Sequence, residues 1–243
     1  MVDKIIAAAD LSKDDCVLEV GPGPGGLTQA LLNHAGHVIA VELDKQLIPV
    51  LTELFPSPNI TIVQGDILRI DLPQILGPYK DIKVVANLPY YITTPVILYL
   101  LESGLLFKSI TVMVQKEVAK RMAASPSTKD YGSLTLAIKY YADVELVANV
   151  PVNCFMPRPA VDSAVVHMHI RPGPPVATCK ETLFKVIHAA FNQRRKTLVN
   201  ALSAGLEMDK GHIASVLESC GLKSDVRGET LDMAAFAQVA EAL

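Results

Sequence analysis

Cysteines are few in this 243-residue sequence, and the four that occur are widely separated. They are Cys16, Cys154, Cys179 and Cys220, and no two of them form a C-x-x-C pair. Disulfide frameworks and zinc sites both depend on closely spaced cysteines, so this spacing argues against either and predicts no metal site. We therefore expect buried free thiols in a cytoplasmic protein.

Long apolar runs and export signals are also missing. The richest apolar stretch, residues 95–101, ends at Glu102, whereas a membrane-spanning helix needs about 20 uninterrupted apolar residues. The opening residues, Met1-Val2-Asp3-Lys4, do not form a basic-then-apolar signal peptide. The sequence is 50 % hydrophobic, which is enough for a core, and its length fits one or two domains of about 100 to 200 residues each. We expect a monomer with no membrane partner.

A basic excess is missing as well, because the formal net charge is −3. That average conceals a segregation of charge. Residues 108–139 contain six basic and two acidic residues, and residues 173–200 contain five and one, so each segment has a charge of +4. The remainder of the chain then has a charge of −11. Taken alone, the two basic segments fit a solvated surface and a nucleic-acid-binding face equally well.

The first 172 residues alternate between strand-like and helix-like patterns. Apolar runs predict strands at residues 16–20, 37–42, 60–63, 82–87, 109–115, 144–150 and 164–170. A helical pattern fills residues 25–34 between the first two strands. Strands that alternate with helices predict an α/β fold with a parallel sheet covered on both faces. The last two runs leave little room for a helix between them, which predicts an antiparallel hairpin at the sheet edge.

A proline-rich break ends this alternation at residues 171–175, with the sequence Arg-Pro-Gly-Pro-Pro. Beyond it the apolar residues recur at helical spacing, first from Leu183 to Phe191 and later over residues 212–219 and 233–242. Proline fixes the backbone and removes hydrogen-bond donors, so regular structure should stop at the break. We predict two domains, an α/β domain over residues 1–172 and a small all-helical domain over residues 173–243.

A glycine-rich loop follows the first predicted strand. Gly21, Gly23 and Gly26 satisfy G-x-G-x-x-G, the pattern of dinucleotide-binding loops. Glu42 ends the next strand, at the position where such folds place a ribose-binding carboxylate. Together these features predict a cofactor that contains adenosine.

Two prolines in the loop, Pro22 and Pro24, decide which cofactor is favoured. A pyrophosphate needs several backbone N–H groups, and proline has none. Glu19, just before the loop, would also repel phosphate, whereas it suits a cationic ligand. S-Adenosylmethionine contains adenosine and a sulfonium but no phosphate, so it is favoured over a dinucleotide. A glycine turn without a ligand is the weaker alternative.

Gly65-Asp66-Ile67 follows the third predicted strand. An aspartate at a strand end can accept a hydrogen bond from an adenine amino group, although Gly-Asp is also an ordinary turn pair. Because open α/β sheets bind ligands at the carboxyl ends of their strands, we place Asp66 with Glu42 and the glycine loop in one adenosine site. We assign Leu43, Gly65, Ile67 and Asn87 to the same cofactor site.

Asn87-Leu88-Pro89-Tyr90 closes the fourth predicted strand. Leu88 precedes proline, so its backbone is extended and its carbonyl has a defined direction. That carbonyl and the Asn87 side chain offer two acceptors to an amine, and Tyr90 offers a flat face to the positive charge that develops on nitrogen. Such positioning makes a base amino group nucleophilic without a strong base. A strand-ending turn is the simpler alternative, but the preceding cofactor loop favours a catalytic role.

Five segments, taken in order, resemble one known family, the ribosomal RNA adenine N6-dimethyltransferases. The segments are Glu19–Thr28, Glu42, Gly65-Asp66, Asn87–Tyr90 and Phe155-Met156-Pro157-Arg158-Pro159-Ala160-Val161-Asp162-Ser163. The leucine at position 88, the run Tyr-Ile-Thr-Thr-Pro at residues 91–95 and the Asp162-Ser163 pair are closer to the small-subunit (16S) enzymes than to the erythromycin-resistance methylases.

This resemblance implies a Rossmann-like S-adenosylmethionine-dependent methyltransferase domain followed by a helical RNA-binding domain. It implies methyl transfer to N6 of two adjacent adenosines near the 3′ end of small-subunit ribosomal RNA, during ribosome biogenesis. A base that reacts at its amino group must leave its stack and be held between flat surfaces. The matching positions are Gly21, Gly23, Glu42 and Asp66 for the cofactor, Asn87, Leu88 and Tyr90 for the adenine, and Phe155 for the opposite face of that adenine.

The basic residues gain an interpretation from this resemblance, because the stretch at residues 193–198 is similar to the start of the family's helical domain. Contacts with RNA phosphates then become a better account than an ordinary solvated face. The RNA helices themselves would be recognised by shape, with the reactive adenines in an accessible loop. The side chains assigned to phosphate contacts are Lys116, Lys120, Arg121, Arg194, Arg195 and Lys196.

One departure from the family concerns a lid over the cofactor. Family members usually have a segment containing Gly-Gln-Asn-Phe-Leu before the helix that residues 1–6 resemble, and this sequence does not include it. We therefore expect weak S-adenosylmethionine binding, which a low-micromolar affinity in calorimetry would contradict. Two other functions stay open, namely a ribosome-assembly factor that binds RNA without catalysis, and a nicotinamide oxidoreductase. The loop prolines and the lack of an evident hydride-transfer acid argue against the oxidoreductase.

Overall fold

The computed structural model describes residues 1–155 and 158–243 and divides them into two compact units. The sheet unit comprises Met1–Ala119 and Ala142–Ile170, and the helical unit comprises Lys120–Tyr141 and Arg171–Leu243. Residues 120–141, which the sequence pattern placed with the α/β domain, therefore group with the helical unit.

The sheet unit is built on one seven-stranded sheet. Its strands are β1 (Cys16–Val20), β2 (His37–Glu42), β3 (Ile60–Gln64), β4 (Ile82–Asn87), β5 (Ser109–Gln115), β6 (Ala142–Val150) and β7 (Ser163–Ile170). They lie in the order β3-β2-β1-β4-β5-β7-β6. The first five are parallel, and β7 is antiparallel to both β5 and β6. The predicted α/β fold with a parallel sheet and an antiparallel edge hairpin is confirmed.

The helices of the sheet unit alternate with its parallel strands. They are α1 (Val2–Ala9), α2 (Thr28–His34), α3 (Leu47–Leu54), α4 (Leu72–Leu76), α5 (Thr93–Glu102) and α6 (Lys116–Ala123), the last of which continues into the helical unit. Helix α2 begins three residues later than its pattern predicts, because Gly25 has a φ of +85° and its N–H bonds to the Pro22 carbonyl in a turn. The loop after β1 is therefore longer than the sequence suggested.

The strand order explains where a ligand site should form. All five residues of β1 are buried, as expected for a parallel strand with both faces covered. Its neighbours are β2 on one side and β4 on the other, so the chain reverses direction across the sheet at this strand. The loops that leave β1 and β4 diverge there and open a crevice at the carboxyl ends of the strands.

The helical unit has its own apolar core. Its helices after α6 are α7 (Ser133–Tyr141), α8 (Lys180–Asn192), α9 (Leu198–Leu206), α10 (Lys210–Ser219) and α11 (Met233–Ala242). Leu183 and Ile187 of α8 pack in one buried cluster with Phe236 of α11. The carboxylate of Asp209 caps α10 and that of Asp232 caps α11 by accepting backbone N–H bonds in the first turn. The predicted helical region after the proline-rich break is confirmed.

The cysteines correct one expectation. All four are free thiols, but only Cys16 is buried, and its pKa is raised to about 11 by that burial. Cys154 and Cys179 are exposed because the first lies in a surface 3₁₀ turn and the second precedes α8. Within the described ranges, the structure has neither a helix of the length and apolarity that a membrane crossing requires nor a metal-binding cluster of His, Cys, Asp and Glu.

Candidate active site

One cavity of about 360 Å³ opens at the carboxyl ends of β1 to β4, in the crevice that the strand order creates. The predicted site residues that line it are Gly21, Glu42, Leu43, Gly65, Ile67 and Pro89. Asp44, Tyr91 and Ile92 also line it, and the sequence analysis did not assign them to the site. Each lies close behind a predicted residue, and Tyr91 and Ile92 also belong to the run at residues 91–95 that resembles the small-subunit enzymes.

The N–H groups of Gly21, Gly23 and Gly25 in the glycine loop are already bonded within the protein. Positions 22 and 24 are proline and have no N–H. Since the N–H groups of the three glycines between and beside these prolines are each bonded within the protein, no position from 21 to 25 has an N–H group that is free to bind phosphate. The three bonds are Gly21 N–H to the Val41 carbonyl (2.9 Å), Gly23 N–H to Glu42 Oε2 (3.0 Å) and Gly25 N–H to the Pro22 carbonyl (3.0 Å).

The conformation of this loop requires glycine at position 25. Gly25 has a φ of +85°, which side-chain-bearing residues rarely adopt. A Cβ atom there would lie 2.5 Å from Cε2 of Phe55. The close packing of the loop on Phe55 therefore depends on the missing side chain.

Glu42 fixes the loop after β1 and the turn after β2 together. Its buried carboxylate accepts the Gly23 N–H through Oε2 at 3.0 Å and the Asp44 N–H through Oε1 at 2.9 Å. Each carboxylate oxygen has a second lone pair, so both retain the capacity to accept a ribose hydroxyl. Glu42 is thus a structural residue of the loop and an available acceptor on the cavity wall.

Glu19 lies at the end of β1, and only 1 % of it is exposed. Its Oε2 accepts the Thr28 hydroxyl at 2.7 Å, which connects the strand to the first residue of α2. Burial raises its pKa to about 7, the Thr28 bond opposes that rise, and the nearby Glu42 charge adds to it. Glu19 is not among the residues that line the cavity, so its contact with the cofactor stays a prediction.

The raised pKa of Glu19 predicts a pH-dependent stability. From its ordinary value of 4.5 up to about 7, the folded chain retains a proton that the unfolded chain has lost. The free energy of unfolding therefore falls as the pH rises through this window, by up to about 3 kcal/mol from this group. Glu19→Gln cannot ionise, so its stability should fall less than that of the wild type between pH 5 and pH 8. Urea unfolding of both proteins at the two pH values measures this, and equal losses in both would contradict it.

Asp66 occupies a turn and not the cavity wall. Its Oδ1 accepts the Leu68 N–H at 3.0 Å, and its Oδ2 lies 3.6 Å from Nε of the exposed Arg69. The neighbouring Gly65 and Ile67 do line the cavity. The alternative of an ordinary Gly-Asp turn thus describes the local geometry, and an adenine contact for Asp66 stays a prediction.

The Asn87-Leu88-Pro89-Tyr90 tetrapeptide follows the same strand end as predicted. The Asn87 side chain is exposed and makes no hydrogen bond with another described residue. Leu88 is buried, and its N–H donates to the Met113 carbonyl at 3.2 Å. The Tyr90 hydroxyl lies 2.7 Å from Oγ of Ser163. The backbone and the tyrosine are thus anchored, while the amide of Asn87 stays available for a ligand.

Phe155 follows the 3₁₀ turn Val152–Cys154 and is half-buried. It packs against the core cluster that contains Val150 and Val165. Within the described residues, no ring contact joins it to Tyr90, so its role as the second face of an adenine clamp stays a prediction. The next two residues of the predicted motif, Met156 and Pro157, lie outside the described residues.

The six basic candidates differ in their ion pairs and in the unit to which they belong. Lys116 belongs to the sheet unit, and its Nζ lies 3.9 Å from Asp162 Oδ2. Arg194 is held within the helical unit by Glu229, at 3.1 Å, and by the Thr128 carbonyl, at 3.2 Å. The remaining candidates are exposed residues of the helical unit, namely Lys120, Arg121, Arg195 and Lys196.

Comparison with known proteins identifies relatives over nearly the whole chain. The family model for ribosomal RNA adenine dimethylase matches residues 1–239. A protein named ribosomal RNA small subunit methyltransferase A from Lachnoclostridium phytofermentans is 51 % identical, over 99 % of this chain and 86 % of its own length. The protein of the same name from Clostridium acetobutylicum is 46 % identical, over 99 % of this chain and 88 % of its own length.

Solved structures show the same architecture. A dimethyladenosine transferase from Plasmodium falciparum superposes with a TM-score of 0.82 at 28 % identity, over 98 % of this chain and 93 % of its own. The 23S rRNA methyltransferase ErmE superposes with a TM-score of 0.75 at 26 % identity, over 100 % of this chain and 96 % of its own. Both the sheet and the helical region therefore have counterparts in solved methyltransferases.

Proposed function

Since the chain belongs to the ribosomal RNA adenine dimethylase family, it is an S-adenosylmethionine-dependent methyltransferase, and we propose that its substrate is the small-subunit ribosomal RNA. The proposed reaction gives N6,N6-dimethyladenosine at two adjacent adenosines near the 3′ end of that RNA. We further propose that the protein acts as a cytoplasmic monomer. Ribosomal RNA as partner follows from the family and its named relatives, and the exact adenosines and the oligomeric state are proposals.

The observation that best supports this function is the lack of free N–H groups over residues 21 to 25 of the glycine loop. Because residues 21 to 25 have no free N–H, the loop is poorly suited to a pyrophosphate and argues against a nicotinamide dinucleotide. It leaves space for an uncharged adenosine beside the Glu42 carboxylate. When bound, S-adenosylmethionine would supply an electrophilic methyl group on its sulfonium.

The tetrapeptide after β4 would make the amino group of adenine a better nucleophile. The lone pair of that nitrogen is delocalised into the ring, and hydrogen-bond acceptors for the two N6 hydrogens favour the pyramidal geometry in which the nitrogen attacks. The amide oxygen of Asn87 and the carbonyl of Leu88 are the proposed acceptors. Each transfer forms an N–C bond, breaks an S–C bond and releases one proton from N6. The Tyr90 ring would stabilise the positive charge on nitrogen before that proton leaves.

Transfer of tritiated methyl groups tests the proposed substrate. Purified chain and labelled S-adenosylmethionine should label undermethylated small ribosomal subunits and leave large subunits unlabelled. Label in neither subunit, together with retained RNA binding, would instead support the assembly-factor alternative. Label in the large subunit alone would contradict the proposed substrate.

The exposed basic pair Arg195 and Lys196 is expected to contact RNA phosphate. Each phosphate contact that is lost lowers the slope of log affinity against log salt concentration by about 1, so replacing both residues with alanine should lower it by about 2. Arg194→Ala should instead lower thermal stability, because its guanidinium bonds to Glu229 within the helical unit. Filter binding to small-subunit RNA at several salt concentrations measures the slope. An exposed lysine outside the basic segments, Lys210, provides the matched control, and a full slope in the double variant would contradict the assignment.

A further inference from the structure

The buried hydroxyl of Ser163 has a partner that the proposed function makes important. Ser163 is the first residue of β7, is 0 % exposed, and pairs in register with Gln115 of β5 and Val150 of β6. A hydroxyl buried at such a position is costly unless it forms a hydrogen bond. Its Oγ lies 2.7 Å from the Tyr90 hydroxyl, so each group satisfies the other.

This bond fixes the outer end of the Tyr90 ring. The inner end is fixed by the backbone, because the neighbouring Leu88 donates its N–H to Met113 and the Pro89 carbonyl accepts the Thr93 hydroxyl at 3.0 Å. The hydroxyl lies on the axis about which the second side-chain torsion of tyrosine turns, so anchors at both ends of the ring fix the first torsion and with it the direction of the ring axis. The position of the Tyr90 ring and the direction of its axis are therefore set before any substrate binds.

The residue before Ser163 anchors the segment that leads to Phe155. The Oδ1 atom of Asp162 accepts the Val152 N–H at 3.1 Å, and its carbonyl accepts the Lys116 N–H at 2.9 Å. Val152 begins the 3₁₀ turn that ends directly before Phe155. Ser163 thus bonds to Tyr90 directly, and Asp162, the residue before it, holds the turn that precedes Phe155.

We propose that Asp162 and Ser163 are positioning residues that set where the Tyr90 and Phe155 side chains lie relative to the flipped adenine. The proposal rests on the proposed function. Neither residue needs to touch the substrate, since Ser163 acts through Tyr90 and Asp162 through the turn before Phe155. Catalysis by positioning is sensitive to small displacements, so a loosened ring should lower turnover more than it lowers RNA binding.

Ser163→Ala tests the hydroxyl bond. We expect kcat for methyl transfer to fall about 10- to 100-fold, while KM for small subunits and the midpoint of thermal unfolding change little. Ser163→Thr, which keeps a hydroxyl, should recover most of the lost kcat. The matched control is Ser109→Ala, because Ser109 also begins a strand and is buried, but its hydroxyl has no hydrogen-bond partner among the described residues.

A double-variant comparison separates positioning from a general loss of stability. Tyr90→Phe and Ser163→Ala remove the same bond from opposite ends, so the double variant should be no slower than the slower single variant. Full multiplication of the two losses would overturn the proposal, as would wild-type kcat in Ser163→Ala. An inactive wild-type protein would contradict the proposed function itself, so the two failures are distinguishable.

Discussion

Asn87→Ala is expected to lower kcat for methyl transfer by about 10²- to 10³-fold, with little change in fold stability. Loss of one preoriented hydrogen-bonding group at a reacting centre has an effect of this size in other enzymes. The Asn87 side chain is exposed and makes no hydrogen bond with another described residue, so the fold does not depend on it. The loss should therefore appear in the chemical step.

Single-turnover methyl transfer and thermal unfolding of the same preparation measure the two effects. Asn149 offers a matched control, since it is also an exposed strand asparagine of the sheet unit, and Asn149→Ala should behave as the wild type. Asn87→Asp keeps an acceptor oxygen at the position of the amide oxygen and should lose less activity than Asn87→Ala. A fully active Asn87→Ala protein would remove Asn87 from the catalytic assignment.

Glu42→Gln is expected to weaken S-adenosylmethionine binding by about 10- to 100-fold, although glutamine has the same shape. The Glu42 carboxylate accepts N–H groups from Gly23 and Asp44 on its two oxygens. A glutamine amide has only one oxygen, so its NH₂ group would face one of these N–H donors. The loop would shift, and one acceptor for the ribose would be lost. A hydrogen bond to a charged group contributes about 1.5 to 3 kcal/mol, so the loss of one such bond accounts for the expected change in affinity.

Titration calorimetry of S-adenosylmethionine measures this loss as a ratio of dissociation constants. Glu42→Ala should bind at least as weakly as Glu42→Gln, because it supplies no acceptor at all. Glu53→Ala is the matched control, since Glu53 is an exposed glutamate of α3 that does not line the cavity. A dissociation constant within threefold of the wild type for both Glu42 variants would show that the carboxylate does not bind the cofactor.

The strand ends of the site were predictable from the sequence because a characteristic residue type follows each apolar run. A buried apolar run ends at a glycine, a carboxylate or Asn-x-Pro, and parallel strands bring such ends to one edge of the sheet. Gly21, Glu42, Gly65 and Pro89 line the cavity for this reason. The prolines also indicated that the loop offers few donors, and in the structure the N–H groups of Gly21, Gly23 and Gly25 are bonded as well.

Contacts between distant residues were not predictable. The pairing of Arg194 with Glu229, 35 residues away, depends on how the helices pack, so the sequence did not indicate it, and a phosphate contact for Arg194 stays a prediction. The same holds for Ser163, which meets Tyr90 across 73 residues. Residues 120–141 joined the helical unit because Tyr131 packs in its core, which a strand-and-helix pattern does not reveal.

The most direct test of the proposed function is mass spectrometry of small-subunit ribosomal RNA after incubation with this chain and S-adenosylmethionine. We expect N6,N6-dimethyladenosine at two adjacent positions near the 3′ end, and its loss with Asn87→Ala. Methylation at any atom other than adenine N6, or an unmodified 3′ region under conditions in which the chain binds both RNA and cofactor, would contradict it.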